Sequence, residues 1–482
     1  MQLAVVADVH LHDLYGGYGL IDEGSGGMAL RTLADTMAST RVFNESHPAF
    51  LAVLEDIVGR GIRTVVLLGD YSDDGQPGAV AALKRILSLY EERHGLRFFA
   101  TFGNHDCFGP EPRHQGKWLT VGAESEPVLV TSDPDAPLPA VVKPAMRGMS
   151  TAEAMQAMGG YGIARPGHVG HWETPFGDRE ALQERYPEGG DPEALDASYL
   201  VEPHDGLWLL VLDANVFTCK NGFSKLESDA AWDHVLARRP YLLEWIEAVA
   251  QRAKRLGKTL LAFSHYPALP LSLMGEGERS IAVGTSDWLK RMPSLETGRS
   301  LAGAGLTWHF SGHMHVAGRT QLYGLTNVAV PSPVGYPGGY VVIDIDGPAV
   351  EVQMVELTEV AGFDVAFAAY NAQRQHDPNG LSALVIGAAG YADFLEAHLR
   401  ALVTLRHVPN DWPELVAYLD QPIGTFCRQN AGWGQVLAAW EDCPLVPLRV
   451  VLEDYYLRRA RGLNSAALDH LTMLRTSLRA CS

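Results

Sequence analysis

The residues most able to do chemistry fall into five short pieces. They are Asp8-Val9-His10, Gly69-Asp70, Gly103-Asn104-His105-Asp106, Ser264-His265-Tyr266-Pro267 and Gly312-His313-Met314-His315. Carboxylate and imidazole dominate, with one amide oxygen from Asn104 and no thiolate. That donor set suits Mn, Fe, Zn or a similar ion better than a cysteine-bound structural zinc. In Asp8-x-His10 and His313-x-His315 the two donors are two apart, so on an extended segment both would face the same way. Seven donors (Asp8, His10, Asp70, Asn104, His265, His313, His315) exceed what one ion with an open position needs. They suit two ions sharing a bridging carboxylate, a pair able to clamp a phosphoryl group and acidify water. His105 is then left over as a candidate general acid.

Each piece follows a run that reads as a strand: Leu3–Ala7, Thr64–Leu68, Phe98–Phe102, Thr259–Ser264 and Leu306–Ser311, with Leu207–Leu212 a further strand. Their apolarity is continuous, not alternating, as in strands buried on both faces. Ligands gather at the carboxyl ends of such strands, where loops vary freely. Helical patterns lie between them: one from Ser46 to Gly59, one over Ala79–Tyr90 and one over Pro240–Leu256, stopped by Gly257. Asn327–Val330, Tyr340–Asp346 and Ala349–Leu357 read as closing strands, the last two as a hairpin.

The five pieces in this order resemble the calcineurin-like metallophosphoesterase superfamily, whose pattern is DxH, GDxxD, GNHD or GNHE, a lone His, then GHxH. The resemblance spans roughly residues 1–357. It implies a four-layer α/β/β/α sandwich with two central mixed sheets. It also implies that Asp8, His10 and His315 hold one metal, that Asp70 bridges, and that Asn104, His265 and His313 hold the second. By the same resemblance Asn104 and His105 touch substrate, His105 protonates the leaving group, and Asp73 orients His105. Arg41 could also reach a substrate phosphate, and Asn44 and Asn215 could lie near the site. The implied reaction is hydrolysis of a phosphoric ester by a metal-bridging hydroxide, on a small or nucleotide-like phosphodiester. Ser/Thr protein phosphatases of the superfamily read GDxVDRG. Here Asp74 stands where their phosphate-holding arginine is expected, which disfavours that branch and favours one similar to the cyclic-nucleotide phosphodiesterases. Tyr71 directly follows Asp70 and is not placed as in the purple acid phosphatases.

The chain has 482 residues, enough for a large domain and an accessory one. The expected division is a catalytic domain over 1–357, with 107–198 an insertion or lid, and a helical C-terminal domain over 358–482. Residues 107–198 are rich in Pro and Gly, with one helix signalled by the capping box Ser150–Glu153. Helices are expected at Tyr391–Thr404, Asp411–Leu419, Trp433–Trp440, Leu448–Arg459 and Ser465–Leu478. Arg458-Arg459-Ala460-Arg461 reads as the basic last turn of one of them.

Net charge is −19, from 57 acidic residues against 38 Lys and Arg. A surface of that sign repels nucleic-acid backbone and anionic lipid, which weighs against a nuclease and a membrane partner. No leader pattern or apolar span is read, and five scattered cysteines fit a reducing compartment, so the expected location is cytoplasmic. The C-terminal domain could mediate self-association. Two rivals stand beside the diesterase: a phosphomonoesterase or nuclease of the same superfamily, and a catalytically silent partner-binding scaffold. The intact ligand set argues against the scaffold. His168-x-x-His171 lacks a helix and a third donor, and reads as loop polarity.

Overall fold

The computed structural model describes residues 1–22, 24–122, 125–177, 179–191, 194–220, 223–226, 231–271, 290–374, 380–430 and 445–462. Two mixed sheets lie at its centre. In the first, Gln2–Val6 runs parallel to Thr64–Leu68, which runs parallel to Arg97–Thr101. On its other side Gln2–Val6 pairs antiparallel with Gly339–Asp346, and Ala349–Glu356 closes that edge. In the second, Leu207–Leu212, Thr259–Ser264, Trp308–Ser311 and Leu325–Ala329 are parallel neighbours. Antiparallel strands flank them: Gly318–Leu322 at one edge, Tyr199–His204 and Trp172–Glu173 at the other.

Side-chain alternation sorts these sheets into layers. Leu209 and Val211 face the core shared with the first sheet, while Leu210 and Leu212 face a second core with the helices Ala231–Arg238, Pro240–Leu256 and Leu295–Gly303. The first sheet is covered on its outer face by Ser46–Gly59 and Pro77–His94, through residues such as Phe50, Leu54, Leu83 and Leu87. Helix, sheet, sheet, helix is the expected sandwich. Continuous apolarity had the expected meaning: every residue of Thr64–Leu68 and of Leu207–Leu212 is buried. The sheets are also tied by polar contacts, Thr101 Oγ1 donating to the Leu212 carbonyl at 2.9 Å and the Tyr199 hydroxyl donating to the Ala100 carbonyl at 3.1 Å.

Residues 107–198, rich in Pro and Gly, nevertheless contribute strands. Gly116–Val121, Val128–Thr131 and Ala140–Val142 join Ala29–Arg31 in a small four-stranded sheet. One strand of that sheet comes from outside the region, so no local pattern signals the pairing. The capping box is present, Ser150 and Glu153 opening the helix Thr151–Met158. Gly318–Leu322, with only one apolar side chain of any length, was likewise not legible as a strand.

The C-terminal part is helical. Phe367–Gln373, Leu381–Ile386, Tyr391–Leu402, Ile423–Gln429 and Leu448–Ala460 are α-helices, and Pro413–Tyr418 is a 3₁₀ turn. The helix from Tyr391 passes through a π-helical turn, Val403–His407, into Val408–Asp411. Tyr391, Phe394 and Leu395 pack into the main core, and Tyr391 donates to the Pro333 carbonyl at 2.7 Å. The helices expected at Trp433–Trp440 and Ser465–Leu478 lie outside the described residues. Among the described residues no helix is long and apolar enough to cross a membrane.

Candidate metal centre

All five motifs sit where a parallel strand ends. Asp8 and His10 follow Gln2–Val6, Asp70 follows Thr64–Leu68, and Asn104 follows Arg97–Thr101. His265 follows Thr259–Ser264, and His313 and His315 follow Trp308–Ser311. Because the two sheets stack, the loops of both converge. Asp8, His10 and His315 bring ligand atoms within 4.8 Å of one another, as do Asp8, Asp70 and His265. His10 Nε2 lies 3.6 Å from Asp70 Oδ2, and His265 Nε2 lies 3.4 Å from the same oxygen. His315 Nε2 is 3.3 Å from Asp8 Oδ1. Asn104 Oδ1 is 3.2 Å from His265 Nε2. His313 is drawn in through its backbone, its N–H donating to both Asp8 oxygens at 3.1 and 3.0 Å.

The backbone in these loops is not extended, contrary to the expectation from the two-residue spacing. Asp8, His10, Asp70, His313 and His315 all have φ between +45° and +67°. The left-handed region is uncommon for side-chain-bearing residues and concentrates at functional sites, where surrounding structure enforces it. The motif glycines allow the close approach. A Cβ on Gly103 would meet the Asp70 carboxylate, and one on Gly312 would meet the Asp8 carboxylate. Asp106, last residue of its motif, fastens two loops together. Its Oδ2 accepts the Asp70 and Gly103 N–H groups at 2.6 and 2.9 Å, and its Oδ1 accepts the Ser72 N–H and hydroxyl at 3.1 and 2.9 Å. Burial, with the Asp70 charge beside it, pushes the Asp106 carboxyl up to about 7. Asn215 supports the same turn, donating to the Gly103 carbonyl at 3.3 Å while its Oδ1 accepts from Tyr266 at 3.0 Å.

The donors fit metal ions. His313 Nε2 is buried with no hydrogen-bond partner, an arrangement that carries a desolvation penalty unless something ligates it. His10 Nε2 and His315 Nε2 face each other at 3.3 Å, a pair of ring nitrogens that a shared cation satisfies. Burial keeps His10 and His313 well below the ordinary imidazole pKa, in the neutral form that ligation requires. His265 differs: burial would lower it, but the Asp70 carboxylate outweighs burial and pushes it up to about 9. Asp70 answers in kind. Burial would raise its pKa, and His265 and His105 hold it well below the carboxylate range. The His265 Nδ1–H donates to the Leu68 carbonyl at 2.9 Å, which turns Nε2 toward the centre.

His105 is also at the centre, its N–H donating to Asp70 Oδ1 at 2.7 Å. Its ring partner corrects the expectation. Nδ1 bonds Asp74 Oδ1 at 2.7 Å, so Asp74, not Asp73, orients His105. Asp74 lies in the left-handed region (φ 70°), one step further round the loop than the motif spacing suggested. Asp73 turns into a fully buried ion cluster instead. Its Oδ2 accepts from Arg31 and Lys117, both at 2.8 Å, and its Oδ1 from Arg41 at 3.3 Å. Arg41 Nη2 in turn lies 3.4 Å from His105 Nδ1 and 3.8 Å from Asp74 Oδ1. Asp73 thus holds the cation that stands beside His105. Asn44 is a scaffold residue, its side chain bonding the Arg31 N–H, the Arg31 carbonyl and the Tyr370 hydroxyl. His171 pairs with Glu173 at 2.9 Å and stacks on Trp208, as loop polarity predicts.

Fold and site define a two-sheet α/β sandwich with a histidine–carboxylate centre. Residues 1–143 match the family model of the calcineurin-like phosphoesterases. Solved structures similar to it include a dimetal phosphatase from Danio rerio, at 12% identity and TM-score 0.40 over 74% of this chain and 96% of that one. An anchor protein of the Plasmodium inner membrane complex matches at 10% identity and TM-score 0.33, over 74% and 84% of the two chains. A phosphopantetheinyl hydrolase from Mycobacterium tuberculosis matches at 10% identity and TM-score 0.27, over 69% and 90%. No curated protein sequence matches the chain.

Proposed function

We propose that this chain is a dinuclear metal-dependent phosphodiesterase acting on a small or nucleotide-like ester. The observation that carries the reading is the sharing of Asp8 and Asp70 between donor groups: Asp70 Oδ2 faces His10 on one side and His265 on the other. Asp8, His10 and His315 would hold one ion, Asn104, His265 and His313 the other, with Asp70 between them. The absence of thiolate favours Mn, Fe or Zn. When bound, such ions supply charge for the phosphoryl oxygens and lower the pKa of water.

The chain's own groups supply the rest. His105, oriented by Asp74, is the proton donor to the leaving oxygen. Arg41, held by Asp73, brings a guanidinium beside it and offers charge to a substrate oxygen. The Asp74 carboxylate is the feature that favours a diester. A monoester carries an extra negative charge toward a neighbourhood where protein phosphatases carry an arginine and this chain carries an acid. A net charge of −19 favours a small substrate over a nucleic acid.

The test is metal analysis joined to a panel of bis(p-nitrophenyl) phosphate, p-nitrophenyl phosphate and cyclic nucleotides, run with Mn, Fe and Zn. Two ions per chain and faster turnover of diesters are expected. A protein that holds two ions and turns over nothing would support the silent scaffold, and a monoester preference would overturn the diesterase assignment.

A further inference from the structure

His313 and His315 form one wall of a cavity of about 110 Å³ whose other walls come largely from the C-terminal helices. Arg291, Arg406 and Arg459 line it, with Asp411 the one carboxylate among the described residues. That carboxylate is already engaged: the Tyr456 hydroxyl donates to it at 2.6 Å and Arg459 Nη1 lies 3.9 Å away. Arg459 is stacked over the Tyr456 ring at 4.3 Å, and His407 stacks on the same ring with centroids 4.6 Å apart. Burial holds His407 well below its ordinary pKa and His398 at about 4, so the imidazoles add no charge. Among the described residues the count is three guanidiniums against one carboxylate, in a chain whose net charge is −19.

The backbone supplies a second observation. Arg406 and His407 end the π-helical turn Val403–His407, set inside a helix that otherwise runs from Tyr391 to Asp411. A π turn has poor intrinsic stability, re-aims the side chains around it, and is found frequently at functional sites. Here it places Arg406 and His407 in the lining of the cavity that the metal-centre histidines also line. The guanidinium fork matches an oxyanion in geometry and charge. The volume lies well below the ~300–1,000 Å³ that encloses a whole drug-sized ligand, so the cavity takes a group and not a molecule.

We propose that this cavity is a subsite for a second oxyanion of the substrate, a phosphate or carboxylate carried at a distance from the ester being cleaved. The C-terminal helices then set substrate choice. The proposal rests on the phosphoesterase reading, in that the scissile group is taken to sit at the histidine–carboxylate centre.

The experiment is calorimetric titration of the full-length, Mn-loaded protein with methylphosphonate, with α,ω-alkylenebisphosphonates and with ω-carboxyalkylphosphonates of increasing chain length. At one bridge length the second oxyanion should tighten binding at least tenfold over methylphosphonate, and the better of the two series identifies its chemistry. Arg406 is the residue to change, since it lines the cavity and is none of the proposed metal ligands. In Arg406→Gln, and independently in Arg291→Gln, the affinity ratio should fall toward one. A ratio under twofold at every length in the wild type would overturn the proposal, as would an unchanged ratio in both variants. Turnover of bis(p-nitrophenyl) phosphate by the wild type separates the two ideas. A large ratio without turnover sinks the reaction and keeps the subsite, whereas turnover with a ratio of one sinks the subsite alone.

Discussion

Asp73→Asn divides the motif-based role of this residue from the one its surroundings give it. If Asp73 oriented His105, the variant would lose turnover. In the structure its fully buried carboxylate instead neutralises Arg31, Lys117 and Arg41, at 2.8, 2.8 and 3.3 Å, with Lys117 only 1% exposed. Lys117 is further held by the Asp73 carbonyl at 2.9 Å. Removing one member of a buried ion cluster leaves the others desolvated and unpaired, at a cost of about 3–5 kcal/mol. That is a large part of the ~5–15 kcal/mol that keeps a domain folded. At a urea slope of ~3 kcal/mol/M, the unfolding midpoint should fall by about 1–2 M. The double variant Asp73→Asn, Lys117→Met should recover part of this, because one stranded cation is gone.

The acid dependence of that stability has a definite sign. Burial would raise the Asp73 carboxyl, yet Lys117, Arg31 and Arg41 hold it well below the ordinary range. A depressed carboxylate contributes stability above its unfolded pKa of ~3.9 and loses it as pH falls through the folded value. The gap between wild type and variant, measured by circular dichroism, should be flat from neutrality to about pH 5 and close only in stronger acid. A midpoint shift under ~0.3 M would refute the reasoning.

The remaining predictions concern the site and its support. His105→Ala should lower turnover by ~10²–10⁴ while metal content by atomic emission stays near wild type, and Asp74→Asn should lower it less, by misorienting the ring. Asp70→Ala should lose metal, and two tightly held ions in that variant would refute its bridging place. Glu45 is fully buried, and burial raises its pKa to about 8. The fold therefore favours protonated Glu45, so stability should decline as pH rises from about 4.5 to 8. Glu45→Gln should flatten that decline in chemical denaturation.

Much of the site was legible because its parts are local. A strand followed by Gly-Asp or Gly-Asn-His-Asp carries its own meaning: the run forms the strand, the glycine admits the carboxylate, and the acid or imidazole is left at the strand end. Order along the chain then gave the donor set and the sandwich. Asp106 could have been found the same way, since it stands inside a motif already singled out. Asp74 could not. Asp73 and Asp74 are adjacent and identical in type, and which faces His105 depends on left-handed turns at Asp74 and Gly75 within one loop. Arg31 and Lys117 reach Asp73 from a small sheet whose strands are far apart in sequence, so no window holds the cluster. Arg459 read as the end of a helix, and only tertiary structure places it in the lining of the cavity that His313 and His315 share.

The sequence by itself therefore determined which groups could meet a metal and which sheets would carry them, because strand ends and donor types are properties of short segments. Tertiary structure alone decided how those groups are oriented, which acid holds the histidine, and that the C-terminal helices wall the centre with arginines. Those outcomes depend on contacts between residues tens to hundreds of positions apart, and on backbone conformations that neighbouring loops impose.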